Sequence, residues 1–193
     1  MNPPDRFQEA QTVLQNADCL FDAGTVNAAY DRMARAIRAE YAALNPVVLC
    51  VMIGGLIPTV ELIKRLNFPF ELDYLHASRY RGETTGSSLV WKVEPGTVLK
   101  DRNVLIIDDI LDEGHTLLAI QRAVLAQGPA SLKTAVLSEK RHQRKAPGVA
   151  AQFIGLQVPD RYVFGCGMDY KEYFRQLPGI YAVGASGASG DMA

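Results

Sequence analysis

The chain has 193 residues, a length that suits one domain with a sizeable core. Its 20 Lys and Arg against 21 Asp and Glu leave a formal net charge of −1, so no global field draws it to nucleic acid or to an anionic membrane. The three cysteines, Cys19, Cys50 and Cys166, are odd in number and scattered, which argues against a disulfide framework and for a reducing compartment.

No Cys/His spacing suggests zinc, and no apolar run approaches the length of a membrane span. The amino terminus lacks a basic stretch followed by an apolar one, so no secretory signal is read and the cytoplasm is expected.

Residues 1–24 are mixed and polar with some helical character. A strong helix follows, with Thr25 as its expected cap. Val26, Tyr30, Met33, Ile37, Tyr41 and Leu44 recur at three- and four-residue spacing and form one apolar face, and Asn45-Pro46 ends it. Val47 to Met52 reads as a buried strand in which Cys50 is a small core hydrophobe, and Ile53-Gly54-Gly55 as a loop. Pro58 suits the first turn of a short helix over Thr59 to Leu66, closed by Asn67. Leu72 to Ala77 and Val90 to Val93 read as strands. Between them Arg79 to Ser88 is polar, aperiodic and rich in Gly, Thr and Ser, the composition of a long mobile loop. Val104 to Ile107 is the central strand. Leu117 to Gln127 is helical, with Leu117, Leu118, Ile120, Val124 and Leu125 on one side, and Gly128-Pro129 stops it. Leu132 to Leu137, Phe153 to Leu156 and Tyr162 to Phe164 are short strands, Tyr170 to Gln176 one or two helical turns, and the tail over 184–193 is expected to be disordered. Strands alternating with helices predict an α/β domain over 1–183 with a mostly parallel sheet.

The most informative segment runs from Asn103 to Thr116. The apolar residues Val104 to Ile107 predict a strand buried on both faces, and the adjacent carboxylates Asp108 and Asp109 stand at its carboxyl end, where open parallel sheets bind ligands. Asp112, Glu113, Gly114, His115 and Thr116 then open a helix, whose free N–H groups and positive dipole end suit a phosphate. Carboxylates do not bind phosphate directly; they suit sugar hydroxyls and Mg²⁺. A phosphorylated ribose combines these features. Taken alone, an Asp pair before a turn is most often punctuation. The segment also lacks the Gly-Lys-Ser/Thr of a nucleoside-triphosphate loop.

This arrangement resembles the phosphoribosyl diphosphate (PRPP) signature of the type I phosphoribosyltransferases. Three further blocks narrow the resemblance to the hypoxanthine-guanine branch, in its proteobacterial form: Ser138-Glu139-Lys140-Arg141, Pro159 to Gly165, and Met168 to Arg175. The resemblance covers about Val47 to Val183. It implies a mostly parallel twisted sheet flanked by helices, with a small hood built from the amino-terminal segment and the carboxyl-terminal part. It implies that Asp108 and Asp109 meet the ribose hydroxyls, that 112–116 cradle the 5′-phosphate, and that Asp112 is the general base for the purine ring proton. Glu113 and His115 stand where the family often has a small and a basic residue.

For the base, the resemblance implies Lys140 on the 6-oxo group, Tyr162 stacking, and Val163 with Asp169 reading the other edge. By itself the run Lys140 to Lys145 reads as a solvated basic loop. Ile53, Gly54 and Arg175 fall at the pyrophosphate end. There the family commonly has Lys-Gly with a cis peptide, and Ile53 brings no such side chain. Arg79 and Tyr80 open the lid, where the family usually has Ser-Tyr. Mg²⁺ on Asp108, Asp109 and Asp169 is implied as cofactor. The implied reaction is purine salvage, hypoxanthine or guanine plus PRPP giving IMP or GMP plus pyrophosphate, by a homodimer or homotetramer with no nucleic-acid or membrane partner. Two alternatives stay open: a xanthine-preferring transferase, and a nucleotide-sensing regulator that keeps this fold.

Overall fold

The computed structural model of the chain describes residues 3–79 and 89–184. Tyr80, the rest of the expected lid loop to Ser88, and residues 185–193 of the tail lie outside the described residues; Arg79 is the last residue of a strand. The elements run α1 (Pro3–Gln15), β1 (Asp18–Phe21), α2 (Ala23–Tyr41), β2 (Val47–Val51), α3 (Leu56–Ile63), β3 (Glu71–Arg79), β4 (Leu89–Val93), β5 (Asn103–Leu111), α4 (His115–Leu125), β6 (Ser131–Lys140), β7 (Phe153–Val158), β8 (Val163–Phe164) and β9 (Ile180–Ala182).

Six strands form the main sheet in the order β4-β3-β2-β5-β6-β7. All its neighbouring strands are parallel except β3 and β4, which pair antiparallel. β2 and β5 lie at its centre and are apolar on both faces, which is why they read as continuous runs. Val48, Leu105, Ile107 and Leu137 face α2 and share a core with Tyr30, Met33 and Ile37. Leu49, Val104, Ile106 and Val136 point the other way, onto Leu117, Ile120 and Val124 of α4. The period of two in the strands thus feeds two cores across one sheet.

The α2 face is buried as expected through Tyr41, whose hydroxyl donates to the Val104 carbonyl at 3.0 Å. The helix ends there, and Leu44 is exposed. Its cap is Asp22, not Thr25: the Asp22 carboxylate accepts the Thr25 N–H at 2.7 Å. Both are good capping residues, and the chain enters the helix early enough for the carboxylate to reach the free N–H groups of the first turn.

A second sheet joins the two ends of the chain, with β9 between β1 and β8 in antiparallel pairing. Phe164 is fully buried there and stacks on Tyr181 with ring centres 5.8 Å apart. Helix α1 packs beside it: Glu9 accepts hydrogen bonds from the Tyr170 hydroxyl (2.7 Å) and the Lys171 ammonium (2.8 Å), and Arg6 donates to the Lys171 carbonyl.

The helical turns expected over Tyr170 to Gln176 are absent. Lys171, Glu172 and Phe174 have positive φ (47°, 76° and 73°), which an α-helix of L-residues cannot carry. Tyr170 and Tyr173 instead exchange backbone hydrogen bonds at 2.9 Å, and the Asp169 carboxylate accepts the Glu172 N–H at 2.7 Å. No helix among the described residues is long and apolar enough to cross a membrane.

Candidate active site

The carboxyl ends of β2, β5 and β6 meet the 159–169 segment at one edge of the main sheet, the place where open parallel sheets bind ligands. β5 is longer than the apolar run suggested and continues through both carboxylates to Leu111. Alternation breaks there. Ile107 and Ile110 both pack toward α2, three residues apart, and Leu111 packs toward α4. Asp108 and Asp109 occupy the irregular step.

A cavity of about 270 Å³ opens at this edge. Asp109 and Ile110 line it from β5, Asp112 from the residue just beyond it, Lys140 from β6, and Tyr162, Val163, Met168 and Asp169 from the segment that follows β7. The parallel register places its two central groups. Ser138 pairs with Ile110 and Glu139 with Leu111, so the next pair is Lys140 and Asp112. Their side chains meet at 2.7 Å (Nζ to Oδ2), with Lys140 largely buried. The other carboxylate oxygen of Asp112 lies 2.8 Å from Nε2 of His142, a ring only 3% exposed. Burial pushes the Asp112 carboxyl upward, but the hydrogen bonds from Lys140 and His142 outweigh it and hold the group below the usual carboxylate range.

The basic run after Lys140 is solvated at Arg141, Gln143 and Arg144, while His142 and Lys145 are partly buried and tied to the site. Arg144 forks onto Asp160 at 2.8 and 3.0 Å and lies 3.5 Å from Glu113. Lys145 donates to the Lys140 carbonyl at 2.7 Å, and the Ala146 N–H donates to the Glu113 carbonyl at 2.8 Å. The cations find partners that are distant in sequence, and the run becomes a strap fastened to the 112–114 loop. That loop ends at Gly114, left-handed at φ 76°, which starts α4 without a side-chain cap, so the amino end of the helix stays open to an anion. Glu113 and His115 flank it, 3.8 Å apart and half exposed.

On the other side of the cavity Arg175 bridges the acids. It donates to Asp169 at 2.6 Å and to the Gly167 carbonyl at 2.6 Å, and lies 3.9 Å from Asp109. Gly54 is required by close approach, because a Cβ there would stand 2.1 Å from an Asp109 carboxylate oxygen. The neighbouring Ile53 is half exposed. The cis peptide of this loop is Met52–Ile53, one bond before Ile53–Gly54. Tyr162 is half exposed at the cavity mouth, edge-on to Tyr170 at 5.3 Å.

Asp108, Asp109 and Asp169 are not among the described groups of three ligands whose donor atoms gather within 4.8 Å; Asp112, His142 and Asp160 are. The latter carboxylates are already engaged by Lys140 and Arg144. Mg²⁺ takes one or two carboxylates and completes its shell with water and substrate phosphate, so Asp108 and Asp109 could hold it without a third protein ligand. Burial, and then the charge of Asp109, raise Asp108 well above the usual carboxylate range, and burial also raises Asp109. A hard cation relieves that repulsion.

His142 and Arg144 are the residues that sequence reasoning missed. A usable signal was present: Lys140 and His142 are two apart at the exit of a strand, the spacing that puts side chains on one side.

A fold and a site of this kind define a transferase that handles a phosphorylated sugar. The phosphoribosyl transferase domain family matches residues 16–172, and the chain belongs to that family. It is 35% identical over 136 residues to the hypoxanthine-guanine-xanthine phosphoribosyltransferase of Tritrichomonas foetus, covering 70% of this chain and 74% of that protein. It is 34% identical over 150 residues to the hypoxanthine-guanine phosphoribosyltransferase of Staphylococcus epidermidis (77% and 83%). A hypoxanthine phosphoribosyltransferase structure from Staphylococcus aureus superposes with a TM-score of 0.85 at 26% identity, over 93% of this chain and 98% of that one.

The raised Asp108 carboxyl costs stability in full above its folded value, and the cost shrinks as the pH falls from there toward the unfolded value, about 3.9, where it is gone. Asp108→Asn is therefore expected to raise Tm in metal-free buffer at neutral pH by a few degrees, since 1 kcal/mol corresponds to roughly 2–4 °C in a chain of this size. The gain should shrink as the pH is lowered toward that value. Thermal unfolding across pH checks this; a lower Tm at neutral pH would contradict it.

Proposed function

We propose that the protein is a Mg²⁺-dependent, cytoplasmic purine salvage enzyme. It converts hypoxanthine or guanine plus PRPP into IMP or GMP plus pyrophosphate. The observation that carries this reading is the Lys140–Asp112 pair at 2.7 Å inside a cavity roofed by Tyr162. A 6-oxopurine offers an acceptor to the ammonium and a ring N–H to the carboxylate, so it can replace each partner of the ion pair with a better-matched one. Tyr162 supplies the face for stacking. Val163 and Asp169 read the opposite edge of the base.

The sugar end follows from the same edge of the sheet. Asp108 and Asp109 accept hydrogen bonds from the ribose hydroxyls, and the open amino end of α4 over 112–116 receives the 5′-phosphate. Ile53 and Gly54 contribute backbone alone at the pyrophosphate, and Arg175 offers its fork. In this reading Arg79 and Tyr80 are the residues that open the lid segment of the sequence. A purine ring nitrogen attacks the anomeric carbon as the bond to pyrophosphate breaks, and the ring proton passes to Asp112. Asp108, Asp109 and Asp169 would hold Mg²⁺, which supplies charge neutralisation for the departing pyrophosphate. Holding both reactants in one dry site contributes much of the acceleration. A homodimer or homotetramer is supported by Leu56 and Val60 of α3, which stand exposed beside Ile53.

Three measurements test this. Steady-state rates with purine bases and PRPP should show turnover of hypoxanthine or guanine, lost on chelation and restored by Mg²⁺; turnover without metal would end the proposed role of the acids. Adenine presents a donor where Lys140 needs an acceptor, and leaving a buried charge unpaired costs several kcal/mol, so its kcat/KM should be lower by roughly three orders of magnitude. Lys140→Met should raise KM for the base and leave PRPP binding nearly unchanged. Equal use of adenine, or intact base affinity in Lys140→Met, would refute the pocket assignment.

A further inference from the structure

The two oxygens of Asp112 are held differently. Oδ2 takes Lys140, a flexible ammonium that reaches in from the end of β6. Oδ1 takes His142, whose ring is buried and pinned from behind. The Arg144 backbone N–H points at Nδ1 of that ring at 3.1 Å, and a backbone N–H can only donate. Nδ1 therefore carries the lone pair and Nε2 the proton, so Nε2–H donates to Asp112. Arg144 is itself fixed by its double contact with Asp160. The chain of contacts is Asp160, Arg144, His142, Asp112. Both ring nitrogens are used within it, which leaves no lone pair for a metal on the Asp112, His142 and Asp160 cluster.

We propose that His142 is a positioning residue for Asp112: Nε2–H holds Oδ1 in every state of the site, so that Oδ2, the oxygen paired with Lys140, is the one that turns to the purine. This rests on the purine reading above. When the base arrives, Lys140 exchanges Asp112 for the 6-oxo oxygen and Oδ2 is released. Without a fixed partner on Oδ1 the carboxylate would rotate about its own axis and follow Lys140. His142 prevents that rotation, and the ring proton of the base meets an oxygen already aimed at it.

Three substitutions separate the two hydrogen bonds of the ring. Gln places an N–H near the position of Nε2 and keeps the donor to Asp112. Asn places an oxygen near Nδ1 and keeps the acceptor for the Arg144 N–H. Phe keeps the ring volume and neither bond. His142→Phe and His142→Asn should lower kcat by roughly ten- to a hundred-fold, with KM for PRPP and for the base nearly unchanged. His142→Gln should recover most of that loss. If Asn recovers activity and Gln does not, His142 merely anchors the strap. No loss in any variant, or equal loss in all three, also overturns the proposal.

A readout independent of activity is the ¹⁵N spectrum of the wild-type protein. It should show a neutral His142 protonated on Nε2 and bare on Nδ1. A bare Nε2, or protons on both nitrogens, overturns the proposal even if the variants fail to fold. If the wild-type protein does not turn over purine and PRPP, the functional reading fails, and the nitrogen spectrum still reports on the His142–Asp112 bond.

Discussion

Ladder hydrogen bonding keeps Asn103 beside Ser131 and Leu111 beside Glu139, and the next pair in that register is Asp112 and Lys140. The site depends on this alignment. A slip of one residue would send Lys140 to the other face of the sheet and leave Asp112 without its ammonium. Register is secured far from the chemistry, by Val104 to Ile107 and Ala135 to Leu137, all buried between α2 on one side and α4 on the other. Packing energy in the centre of the sheet thereby becomes positional accuracy at its edge. The second sheet adds the third wall, because β8, the residue before it and the turn after it carry Val163, Tyr162 and Asp169 to the cavity.

Charge is distributed so that each acid has a different environment. Asp112 is stabilised as an anion by two donors, whereas Asp108 and Asp109 crowd each other and are pushed toward the neutral form. Arg175 neutralises only part of the cluster, lying 2.6 Å from Asp169 and 3.9 Å from Asp109. The site is therefore electrostatically unsatisfied at Asp108 and Asp109 and satisfied at Asp112. Such local conflict is typical of functional sites, where the surrounding fold holds groups that would otherwise repel. Ligand hydroxyls and a cation suit the first region. At the second, any ligand has to displace an existing ion pair, which favours one with both an acceptor and a donor at the right spacing.

The central strand was legible in the sequence because four consecutive apolar residues followed by carboxylates have one reading in a parallel sheet. The α2 face was legible from its period, although the cap was assigned to the wrong residue. What was not legible depended on long-range contact. Strands β1 and β9 have four and three residues and come from opposite ends of the chain, so neither carries a pattern of its own. Tyr170, Tyr173 and Phe174 mimic helical spacing, yet they are gathered by the aromatic cluster around Phe164 through a left-handed backbone. In the run from Lys140 to Lys145, Arg141, Gln143 and Arg144 are exposed as a charged run suggests, and the tethering of the rest was hidden because Asp112, Glu113 and Asp160 are distant in sequence.

In the proposed reaction Lys140 exchanges one partner for another while His142 does not. The most direct test is a crystal structure of the protein with IMP or GMP bound, set beside one of the empty protein. With nucleotide bound, the Lys140 ammonium is expected within hydrogen-bond distance of the 6-oxo oxygen and away from Asp112 Oδ2, while the contact from His142 Nε2 to Oδ1, 2.8 Å here, is retained. A bound state in which Lys140 still pairs with Asp112 and the base lies elsewhere would contradict it.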